Sequence, residues 1–151
     1  MSPFQPEKVA FVAGRIMLKR LDELLNSGEN FAFETTLATK SYKNKVKTAQ
    51  ENGYKVVLLF FWLRKVELAI ERVKIRVAEG GHNIPSDVIR RRYVNGIKNL
   101  FDIYIPIVDE AMIFDNSVGA YKLIARKFPN SEIVIQNNLK FTALKNVIYE
   151  G

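Results

Sequence analysis

The 151-residue chain is 48% hydrophobic, enough for one domain with a proper core, and its formal net charge of +7 and pI near 9.6 suit an anionic partner. Zero cysteines exclude disulfide staples and thiol catalysis, and a single histidine leaves little for zinc. No apolar run nears the ~18 residues of a membrane span, and Met1-Ser2-Pro3-Phe4 lacks the regions of a signal peptide, so a cytoplasmic protein is expected.

Helical and strand patterns alternate, which predicts a layered α/β sheet with crossover helices. Pro6 suits a first helical position. Val9, Ala13, Met17, Leu21 and Leu24 follow at helical spacing until Ser27-Gly28 stops the helix. Asn30 to Glu34, with Phe31 and Phe33, reads as a buried strand ending in Glu34-Thr35-Thr36. A polar helix over about Lys40 to Glu51 stops at Asn52-Gly53. Lys55 to Trp62 (KVVLLFFW) lacks polar alternation, the pattern of a strand covered on both faces.

Lys65 to Glu79 reads as a helix with the stripe Val66, Ile70, Val73 and Val77. After the loop Gly80-Gly81-His82-Asn83-Ile84-Pro85, Ser86 is the expected N-cap of the next helix, with Asp87 in its first turn. That helix should pack through Ile89, Tyr93, Ile97, Leu100 and Tyr104 until Pro106 bends or ends it. Ala111 to Phe114 reads as a third core strand running into Asp115-Asn116-Ser117. Lys122 to Lys127 and Glu132 to Gln136 suggest a C-terminal hairpin, with a short helix after Asn138. No internal repeat or interdomain linker is visible, so residues 1–151 read as a single domain.

Three places could carry chemistry. Glu34-Thr35-Thr36 stands at the expected carboxyl end of a strand, where open parallel sheets meet their ligands, and its carboxylate and hydroxyls could grip a polyol. The alternative is that Thr35 or Thr36 caps the next helix and Glu34 is solvated. The second place is an arginine-bearing flap. Arg72 and Arg76 share a helical face before the glycine loop, and Arg90-Arg91-Arg92 follow it. From Arg64 to Arg92, eight basic residues face four acidic ones, so +4 of the +7 lies here. Guanidinium forks bind phosphate oxygens bidentately and stay charged at any working pH. A solvated basic face is the competing reading. The third place is His82, a phosphate donor or proton shuttle if not simply a loop hydrogen-bonder. Asp115 either caps the ligand edge or starts the turn through Asn116-Ser117.

Taken in order, several segments carry a resemblance: Phe33-Glu34-Thr35-Thr36-Leu37, Val57 to Leu63, Glu71-Arg72-Val73 through Arg76-Val77, and Gly80 to Pro85. Arg91-Arg92-Tyr93, Asn99-Leu100-Phe101 and Phe114-Asp115-Asn116-Ser117 complete the series. Together they resemble the zeta-toxin family of P-loop kinases, specifically its chromosomal ATPase branch, over Ser2 to roughly Lys127. The toxins of that family phosphorylate UDP-N-acetylglucosamine. The resemblance implies ATP and Mg²⁺ as cofactors and a nucleotide sugar or other phosphorylated small molecule as ligand. It also brings an antitoxin into view as a partner. By the same resemblance, Glu34 and Thr36 would hold the substrate sugar. Arg76 and one of Arg91 or Arg92 would be the lid arginines on ATP phosphates, with Arg72 beside them.

Two departures stand out. The toxins commonly carry an arginine two residues beyond the second substrate position, where this chain has Ala38. That puts UDP-N-acetylglucosamine itself in question as the substrate. No G-x-x-x-x-G-K-[ST] loop occurs in the 151 residues, and the strand expected to bear the catalytic aspartate is also missing. The expected architecture is therefore an incomplete P-loop-kinase-like sheet of mainly parallel strands with crossover helices and a C-terminal hairpin. It would hold the substrate edge and arginine lid without the ATP cradle, and would be inactive alone. In such a fold the P-loop strand sits between the strands at Asn30 and Val56, so its absence would leave strand edges open to a homodimer or a separate P-loop segment. A non-catalytic module for a phosphorylated ligand, or a basic nucleic-acid-binding protein, are the alternatives.

Overall fold

A computed structural model describes residues 6–150; the Met1–Phe4 reading lies outside them. The first helix, α1 (Pro6–Ser27), starts and stops where proline and glycine punctuate the sequence, with Gly28 at φ 74° taking the left-handed turn beyond it. Its second half docks through Met17, Leu18 and the buried Leu21 and Leu25. Its first half keeps Val9, Phe11, Val12 and Ile16 exposed. Lys45 of α2 (Tyr42–Glu51) pairs with Asp22 of α1.

Strand β1 (Val57–Trp62) is followed by α3 (Val66–Ala78) and α4 (Ser86–Asn99). Past Asn99 the helix widens into a π segment, Leu100–Tyr104, and ends in a last turn, α5 (Ile105–Ile107). Pro106 lacks an N–H and its ring crowds the carbonyl four residues back. The wider π turn just upstream is how the helix meets that constraint before stopping. Strand β2 (Glu110–Asp115), the antiparallel pair β3 (Lys122–Lys127) and β4 (Ile133–Ile135), and α6 (Asn138–Glu150) complete the chain. The final helix is thus a full 13 residues rather than a short one. Ser86 opens α4 rather than capping it; Pro85 occupies the N-cap, and its carbonyl accepts from the Val88 and Ile89 amides.

The sheet is α/β with crossover helices and the expected C-terminal hairpin, in the order β1-β2-β3-β4. It is mixed: β1 and β2 are parallel, and the other two pairings are antiparallel. Asn30–Glu34 does not join it as a strand. Its aromatics are held by rings outside the sheet, Phe31 edge-on to Tyr54 and Phe33 tilted against Tyr42, so apolar content there reflects helix packing rather than a ladder.

Leu58, Phe60 and Trp62 pair in register with Ala111, Ile113 and Asp115 on the covered face, over Ile97, Leu100, Tyr104, Ile124 and Leu144. The other face corrects the expectation that β1 is covered on both sides. Val57, Leu59 and Phe61 remain 45–47% exposed, with Phe61 stacked on Phe114 and Tyr121 beside it. On the outer side of β1 no strand pairs with it among the described residues.

Candidate functional site

The segment after Asn30 is shaped by its own hydroxyls. Thr35 Oγ1 accepts from the Leu37 amide at 3.1 Å and Thr36 Oγ1 from the Ala38 amide at 3.4 Å. Neither threonine caps α2, which starts six residues or more beyond them and is preceded by Ser41 without a side-chain cap. Each hydroxyl accepts locally, which leaves its proton free to donate. Glu34, Thr35 and Thr36 are exposed, whereas Leu37 is buried and held at φ 61°. A left-handed branched residue of this kind is uncommon and persists only where surrounding contacts impose it.

Those contacts come from α4 and the π segment. The Thr36 carbonyl lies so close to Gly96 that a Cβ there would stand 2.3 Å from it. The buried Asn99 carboxamide donates to the Leu37 carbonyl at 2.8 Å, and Tyr104 Oη donates to the Thr39 carbonyl at 2.6 Å. One turn before Gly96, Tyr93 donates to the Leu63 carbonyl at the end of β1 and accepts from Trp62 Nε1 at 3.1 Å. A single helix therefore holds both the 36–39 loop and the carboxyl end of β1.

At the neighbouring end of β2, Asp115 is only 3% exposed. Its carboxylate accepts from the Ser117 amide at 2.9 Å and pairs with Lys140 at 2.9 Å and Arg64 at 3.1 Å. Burial raises its pKa, but the hydrogen bonds from Ser117 and Lys140 and the charge of Arg64 outweigh that and bring it down from 3.8 to about 2. Asp115 thus locks the sheet edge to α6. The same burial pushes the Tyr93 phenol up, its bond with Trp62 opposing.

The arginines fall into distinct settings. Arg72 Nη2 donates to the Asn116 carbonyl at 2.9 Å, tying α3 to the turn after β2. Arg90 is 3.6 Å from Glu67. Arg76 and Arg91 are exposed and Arg92 is half-buried; none of the three makes an ion pair or side-chain hydrogen bond among the described residues. Arg92 is four residues before Gly96, on the α4 face that meets the 36–39 loop. His82 is exposed in the loop.

The glycine pair has a structural role that the flap reading did not include. Gly80, at φ 100°, donates to Val77 at 3.1 Å, and Gly81 to Arg76 at 2.7 Å. This is a Schellman closure of α3, with the left-handed residue supplied by glycine.

Gly96, Asn99, Tyr104, Arg64 and Lys140 were not picked out as site-forming by periodicity. A polar Asn99 between the buried Ile97 and Leu100, within the Asn99-Leu100-Phe101 segment of the resemblance, is a signal that could have flagged the loop anchor. A separate shallow concavity at the amino end of β2 is lined by Gln50, Asp109, Lys127 and Glu132, and the first three of these are spent internally. Lys127 donates to the Ile105 and Val108 carbonyls, and Asp109 accepts from the Val56 amide.

A family model described as Zeta toxin matches residues 7–120, from α1 through the turn after β2. The chain belongs to the zeta-toxin family. It is 33% identical over 93 residues to an uncharacterized protein of Haemophilus influenzae, covering 62% of this chain and 66%, just under two thirds, of that protein. No solved structure matches it.

The zeta-toxin family is one of kinase-like P-loop folds. The arginines suit phosphate oxygens. Mg²⁺ does not fit the residues present: the Asp115 oxygens are already taken by Ser117, Arg64 and Lys140. No group of three or more His, Cys, Asp or Glu is arranged to hold a metal among the described residues. No helix among them is long and apolar enough to cross a membrane.

Proposed function

We propose that this chain supplies the substrate loop and arginine lid of a zeta-toxin-like, ATP-dependent phosphotransferase acting on a nucleotide sugar. The supporting observation is that α4 does two jobs at once. Its Gly96 and Asn99 hold the Thr36–Leu37 backbone, while Arg91 and Arg92 stand one to two turns earlier on the same helix. Glu34 and the Thr36 hydroxyl then face a polyol as acceptor and donor. Arg76, Arg91 and Arg92, which make no ion pair among the described residues, lie on phosphate oxygens, with Arg72 bracing α3. Charge neutralisation of this kind is most of what a protein contributes to phosphoryl transfer.

The backbone cradle for the β- and γ-phosphates comes, in this reading, from a segment that pairs along the free edge of β1 and covers Val57, Leu59 and Phe61. An apolar, uncharged edge strand is a ready template for such pairing.

The test is a calorimetric titration of the purified chain with UDP-N-acetylglucosamine and a panel of other nucleotide sugars. Weak binding to at least one is expected, reduced by Glu34→Ala and abolished by the Arg76→Ala/Arg91→Ala double variant. A double variant that binds as well as the parent would leave the arginines as a solvated face. Affinity that instead grows with nucleic-acid length and falls steeply with salt would replace the kinase reading.

A further inference from the structure

We infer that Asn99 is a positioning residue, setting the presentation of Glu34 and Thr36 through the backbone of Leu37. The claim rests on the proposed reading of Glu34 and Thr36 as ligand groups. It does not depend on which nucleotide sugar is bound.

Leu37 is a branched residue at φ 61°, a strained conformation that L side chains rarely adopt. Its side chain is 5% exposed, so the turn cannot relax outward without uncovering it. Leu37 N–H and Ala38 N–H are satisfied by the two threonines just before them. The Leu37 carbonyl accepts from Asn99 Nδ2 at 2.8 Å. Asn99 is itself 4% exposed and sits at the last α-helical position before the π segment.

A buried amide in that place is costly unless it is used. Its use is to choose the direction of one carbonyl. With Gly96 admitting the Thr36 carbonyl to van der Waals contact and Tyr104 holding Thr39, the loop is fixed at 36, 37 and 39. Asn99 is the middle anchor and the one opposite the strained residue. The π turn between Asn99 and Tyr104 changes the helical phase and lets both side chains reach the same short loop.

The experiment compares Asn99→Ala, which deletes the side chain beyond Cβ, with Asn99→Leu, which keeps a branched side chain that fills the site and deletes the carboxamide and its donor. Backbone amide exchange and NMR signals of residues 35–39 are followed alongside titrations with UDP-N-acetylglucosamine and the same panel of other nucleotide sugars. The expected result is that both variants lose protection and shift signals at 35–39 while β1 and β2 stay protected. Affinity should fall at least about tenfold in both, the scale of one lost buried hydrogen bond. If Asn99→Leu restores the parent loop signals, Asn99 is a packing residue and the inference fails. If the loop loosens in both variants and affinity is unchanged, it also fails. If the parent binds no nucleotide sugar, the proposed substrate class fails, while the loop signals still decide whether Asn99 sets the backbone.

Discussion

The Lys140 ammonium lies 2.9 Å from the Asp115 carboxylate, joining the last helix to the carboxyl end of β2. Lys140 lies beyond the family match at residue 120, so a residue outside the shared region completes the ionic lock at the edge of the shared sheet.

This lock makes stability pH-dependent in a defined window. The Asp115 pKa is lowered on folding from 3.8 to about 2, so its contribution is fully present above the unfolded value and is lost as pH falls through the folded one. We expect Asp115→Asn to be less stable than the parent by about 2 kcal/mol at neutral pH, with the gap closing between about pH 4 and pH 2. Urea titrations of both proteins across that range check it. A gap that persists unchanged at the acid end would mean the carboxylate charge is not what stabilises the edge.

The Schellman closure of α3 yields a second expectation. A Cβ on Gly81 would stand 2.8 Å from the Arg76 carbonyl, and Gly80 sits at φ 100°. Gly80→Ala and Gly81→Ala should each cost on the order of 1 kcal/mol or more in thermal unfolding. The Gly80 and Gly81 amides should also be protected from exchange. Rapid exchange at both would restore the glycine pair as a flexible hinge.

The helices were legible because their punctuation is local: Pro6, Ser27-Gly28, Asn52-Gly53 and Gly80-Gly81 all act where they stand. The core strands at Val57–Trp62 and Glu110–Asp115 were legible from uninterrupted apolar residues. What apolarity could not report is whether a neighbour exists. Asn30–Glu34 has strand-like composition but finds aromatic partners instead of a ladder, and VLLFFW reads the same whether one face or both are covered. At the candidate site, residue type pointed to Glu34, Thr36 and the arginines. Their supports, Asn99, Gly96 and Tyr104, lie some sixty residues away in sequence, and only the fold brings them to the loop.

The bare face of β1 carries a third expectation. Val57, Leu59 and Phe61 are each nearly half exposed, and two flanking cations are paired, Lys55 with Glu110 at 2.8 Å and Arg64 with Asp115. Little charge is left to discourage edge pairing. The chain should self-associate with rising concentration in light scattering, and Leu59→Lys should suppress this without loss of helix content. A parent that stays monomeric at high concentration would show that this face does not recruit a second copy.

The last expectation concerns turnover. We expect the 151-residue chain alone neither to hydrolyse ATP nor to transfer its γ-phosphate. Exposed arginines attract ATP, but such attraction is screened within about 8 Å at physiological salt. Among the 151 residues no G-x-x-x-x-G-K-[ST] loop supplies backbone donors, lysine and Mg²⁺ ligand together. Loss of even one preorganised donor typically costs about 10²–10³ in rate, and here several would have to be replaced at once. Asp115 cannot stand in, because its oxygens hold Arg64 and Lys140. The assay incubates purified chain with Mg·ATP and a panel of nucleotide sugars, with and without a P-loop peptide or domain added in trans. Transfer by the chain alone would overturn the division of labour proposed for the lid and the cradle. Transfer only on addition, lost again when Glu34 or Arg76 is replaced by alanine, would show that the two parts form one active site.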